Sequence, residues 1–425
     1  MSEQDQLLII VNPESGDRKN TIDIAVSVLP LLKGIKYQLK VSDDLAHVWK
    51  LVREFLASGD GSSILIAGGD GTIHEVINAL VLDGVPDRLP RTWNLVLWPG
   101  GTANALYASI FSSSAPNPIH QYLLPDNTDQ QTAYKLKSVL AFLHSRLTKG
   151  TGSVPVRRTL TLAATEIFDD KSTRVSREIS VVVSSASLHA AILKSAEDLR
   201  ESDPTLGRFK TAARLNATNW ASSCVKVFGP DGITSTGIQR YEPRSDALVP
   251  ATLTSSHALE FVGPFAYFLS TVNVDRLEPT FYITAPFTTH PPEPDVKSMD
   301  ILAVRPGRSP AVGRDPSKLQ EKEFKETFAQ ETLMGTIMAA YDNGRHVKDL
   351  YDGDGGEPVV EYLRAAGWEW TPNSNDEVSR LICIDGVIRT IPIGGRARCE
   401  VLQPDAKSGD IVSEGSHIPE FMIFV

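Results

Sequence analysis

The chain has 425 residues, 41% of them hydrophobic and 22% charged, which is more apolar material than one small domain needs, so two domains are expected. A formal net charge of −10, a pI near 5.5 and no run rich in Lys or Arg argue against a nucleic-acid partner. Three cysteines, Cys224, Cys383 and Cys399, form no CxxC pair and are too scattered for a disulfide framework or a zinc site, which fits a reducing, cytoplasmic setting.

After an acidic start, the five-residue apolar run 7–11 is too short for a signal peptide or a membrane span and predicts a first buried strand. Apolar residues at helical spacing follow at 22–32 and 45–56. Three segments then share one pattern, an apolar run that ends in a Gly- or Pro-containing turn and leads into a helix-like stretch. They are LLIIVNPESG, SSILIAGGDGTIHEVINAL and WNLVLWPGGTANALYASIF. This alternation predicts an α/β fold, a parallel sheet in a three-layer N-terminal domain, with the strand-end loops gathered on one edge where such sheets bind ligands.

Residues 112–131, rich in Ser, Pro, Asn and Asp, read as a loop, and 133–147 as a helix. From Arg157 onward the segments RRTLTLAATEIF, REISVVVSSASL, TFYITAPF, SMDILAVRP and SRLICIDGVIRTIPI predict a mainly antiparallel β-sandwich domain. The boundary is placed between 1–150 and 151–425, with the C-terminal residues free to return to the first domain. Segments 229–256, 305–322 and 351–358 read as loop-like insertions.

Gly68-Gly69-Asp70-Gly71-Thr72 is the most informative turn, because it lies between the strand 63–67 and a helix over 72–82 whose Ile73, Val76, Ile77 and Leu80 share one face. Glycines without a Cβ let the backbone approach a phosphate, and helix-start amides direct partial positive charge at it. Asp70 could hold magnesium, accept a proton from an attacking hydroxyl, or cap a helix; spacing alone leaves these open. Pro99-Gly100-Gly101-Thr102-Ala103-Asn104 and Asn12-Pro13-Glu14-Ser15-Gly16 close the other two strands, the former adding a hydroxyl and a carboxamide to the same edge. No Gly-Lys dipeptide is present, so there is no P-loop, and the GGDGT turn lacks the third glycine of a dinucleotide fingerprint. HExxH and GxSxG are absent too. His74 and His189 are assigned structural roles, Arg18 and Lys19 solvated ones, and the apolar run 261–269 is read as core more than as a lipid channel.

Those three turns, in this order and spacing, resemble the diacylglycerol-kinase catalytic family, which includes sphingosine and long-chain-base kinases. SLHAAILKSAEDLRESDPTLGRFKTA, FYITAPF, SMDILAVRP and LICIDGVI extend the resemblance at lower specificity. It implies a two-domain, ATP- and Mg2+-dependent lipid kinase acting on a sphingoid base or a diacylglycerol, with ATP in an interdomain cleft and the lipid tail held by the β-domain. By position it implies Asn12, Pro13, Ser15, Gly68, Gly69, Gly71, Thr72, Gly100, Gly101, Thr102 and Asn104 at the nucleotide, with Asp70 as catalytic carboxylate and metal ligand. Lys210 is implied as a basic phosphate contact, and Asp385 with Gly386 as the second domain's contribution to magnesium and nucleotide. Two departures stand out: Val387 replaces the glutamate of the family's DGE, and 186–191 carries no acid where relatives place one near the lipid head group. The alternatives are a kinase of NAD or another small alcohol, and a catalytically weak lipid-binding regulatory protein. Membrane contact is expected to be peripheral, with 229–256 as a candidate apolar patch.

Overall fold

The structure is a computed structural model that describes residues 6–59, 61–82, 90–111, 118–148, 156–203, 207–251, 257–293, 296–351, 356–373, 375–403 and 418–425. The chain divides into two compact units, Met1–Thr161 with Gln403–Val425, and Leu162–Leu402.

The first unit is built on a six-stranded sheet. Its strands are β1 (Leu7–Val11), β2 (Tyr37–Val41), β3 (Ser63–Gly68), β4 (Thr92–Pro99), β5 (Arg157–Thr159) and the C-terminal Glu420–Phe424, in the order β2-β1-β3-β4-(Glu420–Phe424)-β5. All neighbours run parallel except β5, which is antiparallel to Glu420–Phe424. Every residue of β1 and β3 is buried, as continuous apolar runs in a doubly covered parallel sheet must be. Because β2 lies on one side of β1 and β3 on the other, the strand order reverses between β1 and β3, the place where open α/β sheets bind ligands at their carboxyl ends.

On one face, Leu7, Ile9, Val11, Leu65, Val96 and Trp98 pack with Ile24, Val28, Leu140 and Phe142 from helical segments. Helix Leu45–Ser58 begins at Asp44, whose carboxylate accepts from the His47 amide, and ends at Gly59 with φ 68°; it packs beside helix Asp70–Leu82. The helix expected at 133–147 starts earlier, at Gln130, because Asp129 caps it by accepting from the Thr132 amide. It comprises Gln130–Lys135 and Lys137–Leu147, and because Leu136 N donates to Thr132 O and Leu140 N to Leu136 O, the hydrogen-bond ladder carries through.

The second unit holds two antiparallel sheets. The eight-stranded one runs, in spatial order, Ala247–Pro250, Gln239–Glu242, Glu361–Ala365, Met299–Val304, Tyr267–Thr271, Val183–Ala186, Leu381–Ile384 and Val387–Thr390. The six-stranded one runs Leu259–Val262, Ser223–Phe228, Gly367–Pro372, Arg396–Val401, Ala163–Phe168 and Arg174–Ser180. Trp368 and Trp370 of the second sheet are fully buried against Phe268 of the first, at ring separations of 5.4 and 5.0 Å, and Phe265 stacks 5.2 Å from Trp370. The indole nitrogens of Trp368 and Trp370 find acceptors in Ser270 Oγ at 2.9 Å and Ser379 O at 2.7 Å. Phe265 and Phe268 are therefore core.

Two expectations are corrected here. FYITAPF is not a strand: Phe281 makes only an isolated bridge to Glu278, the Thr284 hydroxyl turns to Val274 O, and Pro286 starts the short helix Pro286–Thr289. Within 229–256, residues Gln239–Glu242 and Ala247–Pro250 pair as an edge hairpin, tied by the Tyr241 hydroxyl to Asp246 at 2.6 Å. Ile238 and Tyr241 are buried there and Ile233 is 72% exposed, while 252–256 lie outside the described residues, as do 352–355 of the Gly/Asp-rich insertion and 112–117 of the early loop. Among the described residues no helix is long and apolar enough to cross a membrane.

Candidate active site

All three turns meet at the carboxyl edge of the first unit's sheet. The parallel ladder continues into them: Asn12 N donates to Ala67 O at 2.9 Å and Gly100 N to Gly68 O at 3.0 Å. Asn12 Nδ2 then donates to Thr72 Oγ1 at 3.0 Å, fastening the first turn to the start of helix Asp70–Leu82. The carbonyl of Gly69 takes the amides of Thr72 and Ile73, so the helix opens directly on the glycine pair.

Glycine is required at several of these contacts. A Cβ on Gly101 would lie 2.4 Å from Gly69 Cα, and one on Gly16, where φ is 61°, would lie 2.4 Å from Gly100 O. Backbone abuts backbone. Gly71 is different, since its φ is not positive and a Cβ there would meet nothing within 4 Å. A glycine in a first helical turn lowers helix stability relative to alanine, and no neighbour within the described chain requires one at this position. Its bare backbone faces open space.

Asp70 sits beside that opening and is partly exposed. Its two oxygens accept from the amides of Ala105 at 2.8 Å and Leu106 at 3.1 Å, the first residues of helix Ala105–Ile110. The carboxylate thus joins the second turn to the third and caps a neighbouring helix. Asn104, at φ 50°, closes the third turn on itself, accepting from Gly101 N at 2.8 Å and donating to Gly101 O at 2.7 Å. Thr102 is exposed, and Pro13 and Ser15 are partly so, on the outer side of the first turn.

Asn20 was not anticipated. It is 1% exposed and donates to Asn12 O at 2.9 Å and Gly100 O at 3.2 Å, bridging the first and third turns from beneath; its Oδ1 is buried with no hydrogen-bond partner. The only local signal was a polar residue opening the apolar helical stretch after NPESG.

Lys210 and Asp385 belong to the second unit. Lys210 is exposed on helix Gly207–Asn216. Asp385 is 5% exposed, and its carboxylate accepts three backbone amides, Val181 at 2.7 Å, Val182 at 3.0 Å and Val183 at 2.7 Å. Asp385 and Gly386 both have positive φ, 46° and 97°, between the paired residues Ile384 and Val387, which is the tight two-residue hairpin that an Asp-Gly pair favours. His189 is likewise tied into this unit: its Nδ1 is 2.7 Å from Ser185 Oγ, and burial pushes its imidazole down to about 4. His74, in the first unit, is buried. Among the described residues no group of three or more His, Cys, Asp or Glu side chains is placed to hold a metal ion.

Comparison with known proteins bears out the resemblance. Residues 6–132 match the family model of the diacylglycerol kinase catalytic domain. Sphingosine kinase 1 of Caenorhabditis elegans is 29% identical over 108 residues, so the match spans 25% of this chain and about a quarter, 23%, of that relative. Among solved structures, a diacylglycerol kinase from Bacillus anthracis superposes with a TM-score of 0.46 at 13% identity, covering 95% of this chain and 96% of the other. Yeast NADH kinase complexed with NADH superposes with a TM-score of 0.39 at 8% identity, covering 95% and 82%.

Proposed function

Starting from a diacylglycerol-kinase-like catalytic domain over residues 6–132, we propose that this chain transfers the γ-phosphoryl group of ATP to a hydroxyl of a lipid, a sphingoid base or a diacylglycerol. One observation carries the reading. Three glycine-bearing turns converge at the strand-order reversal, with the uncovered backbone of Gly71 and the carboxylate of Asp70 side by side at the opening.

Phosphoryl transfer asks a protein mainly for positioning and electrostatic stabilisation. Helix-start amides around Gly69 and Gly71 would receive the phosphates, and Thr102 lies exposed where a nucleotide would contact it. Asp70 is held in orientation by the two amides it accepts, and its partly exposed carboxylate is placed to meet an acceptor hydroxyl or a cation. Magnesium, when bound with the nucleotide, would offset phosphate charge; Mg2+ commonly takes one or two protein carboxylates and fills its other positions with phosphate and water. Asp70 fits that donor set. Asp385 is less suited, since it is buried and three amides already bind its oxygens, and we assign it a bracing role in the second unit.

The relative named sphingosine kinase supports a sphingoid base, and the family name supports a diacylglycerol. Incubating the full chain with radiolabelled ATP and a panel of sphingosine, phytosphingosine, diacylglycerol and NAD tests the proposal. Label appearing in an extractable lipid is the expected result. Label in NAD alone, or ATP turnover indifferent to every lipid, would replace it with a small-alcohol kinase or a regulatory protein.

A further inference from the structure

We propose that the outer edge of β2 pairs with the same edge of a second copy of this chain, continuing the first unit's sheet across a two-fold axis at Leu39. β2 is the terminal strand of its sheet, and among the described residues no strand covers its outer side. Leu7 N donates to Lys36 O and Ser42 N to Val11 O, so the even-numbered residues of β2 direct their peptide groups at β1. In a parallel ladder the alternate residues point the other way, which leaves the N–H and C=O groups of Tyr37, Leu39 and Val41 aimed outward.

These same three residues carry an apolar stripe. Tyr37, Leu39 and Val41 are 37%, 42% and 42% exposed, although they continue the face on which their register partners Leu7, Ile9 and Val11 are fully buried. Among the described residues the strand carries neither a proline nor a charged side chain on this apolar face. Gln38 and Lys40 project to the opposite face, where they engage Gln6 at 2.9 Å and Glu54 at 3.7 Å. On the stripe's own face the crossover helix buries Ile24 and Val28 but leaves Ile22 and Val26 exposed by 66% and 69%.

Charge placement selects the occupant. Antiparallel pairing about Leu39 sets Tyr37 against the partner's Val41, and Lys40 against the partner's Gln38 and not against another lysine. It also brings exposed Lys36 and Lys33 at one end of the strand alongside exposed Asp43 and Asp44 at the other. The edge is therefore complementary to itself, as a two-fold contact requires.

Sedimentation of the full chain up to about 100 µM tests the proposal, with Leu39→Glu as the variant, because it sets two like charges face to face on the axis. The expected result is a dimer for the native chain and dimerisation at least about tenfold weaker for Leu39→Glu, with melting temperatures that agree at dilutions where both chains are monomers. Lys36→Glu should weaken the dimer and Lys36→Glu with Asp43→Lys restore it. Leu39→Cys should form an interchain disulfide on mild oxidation, since directly opposed hydrogen-bonded residues lie about 5.5 Å apart at Cα. A native chain that stays monomeric, or a Leu39→Glu chain that dimerises as before, would overturn the proposal, as would a monomer whose binding to phosphatidylserine vesicles is what Leu39→Glu removes.

Discussion

Asp70 and Asp385 each precede a glycine at the end of an apolar strand, and the two turns read almost alike in the sequence. In the folded chain they have opposite occupations. Asp70 is partly exposed, and it accepts two amides of another turn, so it is held in place where a ligand can reach it. Asp385 is buried and takes three amides of one neighbouring strand segment, while its own backbone makes the hairpin bend. A partly exposed carboxylate held from another turn can meet a ligand, whereas a buried one that takes three amides braces the fold around it.

The sharpest way to break this contrast is to remove one charge at a time. Asp70→Asn should lower phosphoryl transfer by about 10³-fold, the scale of a lost general base or cation ligand, and change stability by only about 1 kcal/mol, because Asn can still accept one of the two amides. Asp385→Asn should do the reverse. Its single oxygen would leave buried amides unsatisfied and lower stability in urea unfolding by about 3 kcal/mol, while turnover per folded molecule is retained. Equal losses of turnover in both variants would place Asp385 back in the chemistry.

The second unit should also have its own response to acid. His346 is 1% exposed, with Nε2 3.0 Å from Ile283 O and Nδ1 buried with no partner, and burial pushes the imidazole down to about 4. The unfolded chain takes up this proton near the ordinary histidine value of about 6.5. As pH falls from about 6.5 to about 4 the unfolded state is therefore favoured, and stability drops by up to about 3 kcal/mol from this residue. Above pH 7 the effect is absent. Urea unfolding at pH 7 and pH 4.5 should show a smaller difference between the two conditions for His346→Gln than for the native chain.

A still smaller effect is expected at Asn20, whose replacement by Ala removes two hydrogen bonds from beneath the turns. Stability should fall by about 2 kcal/mol, with weaker nucleotide binding as the first and third turns separate. An unchanged melting temperature would show that the turns hold themselves.

How far the sequence revealed this arrangement depended on distance along the chain. The strands at 7–11 and 63–68 and their turns were legible because burial on both faces demands an apolar run and the bend after it demands glycine, both local requirements. Asn20 was not, since its contact to Gly100 spans eighty positions and leaves no periodic trace. FYITAPF has strand composition, yet Pro286 and the Thr284 hydroxyl turn it into a bend. Asp385 is hard to read locally for a related reason: Asp-Gly serves equally as a hairpin turn and as part of a kinase motif, and its three amide partners lie some two hundred positions away.

Gly71 allows the central claim to be tested with fold and ligand separated. Calorimetric titration of the full chain with magnesium-ATP, native against Gly71→Leu, should show affinity lowered at least about tenfold, while the melting temperature is held or raised because Leu favours a helix and its side chain enters open space. A Gly71→Leu chain that binds ATP as the native chain does would contradict the account, since no phosphate could then be resting on that backbone.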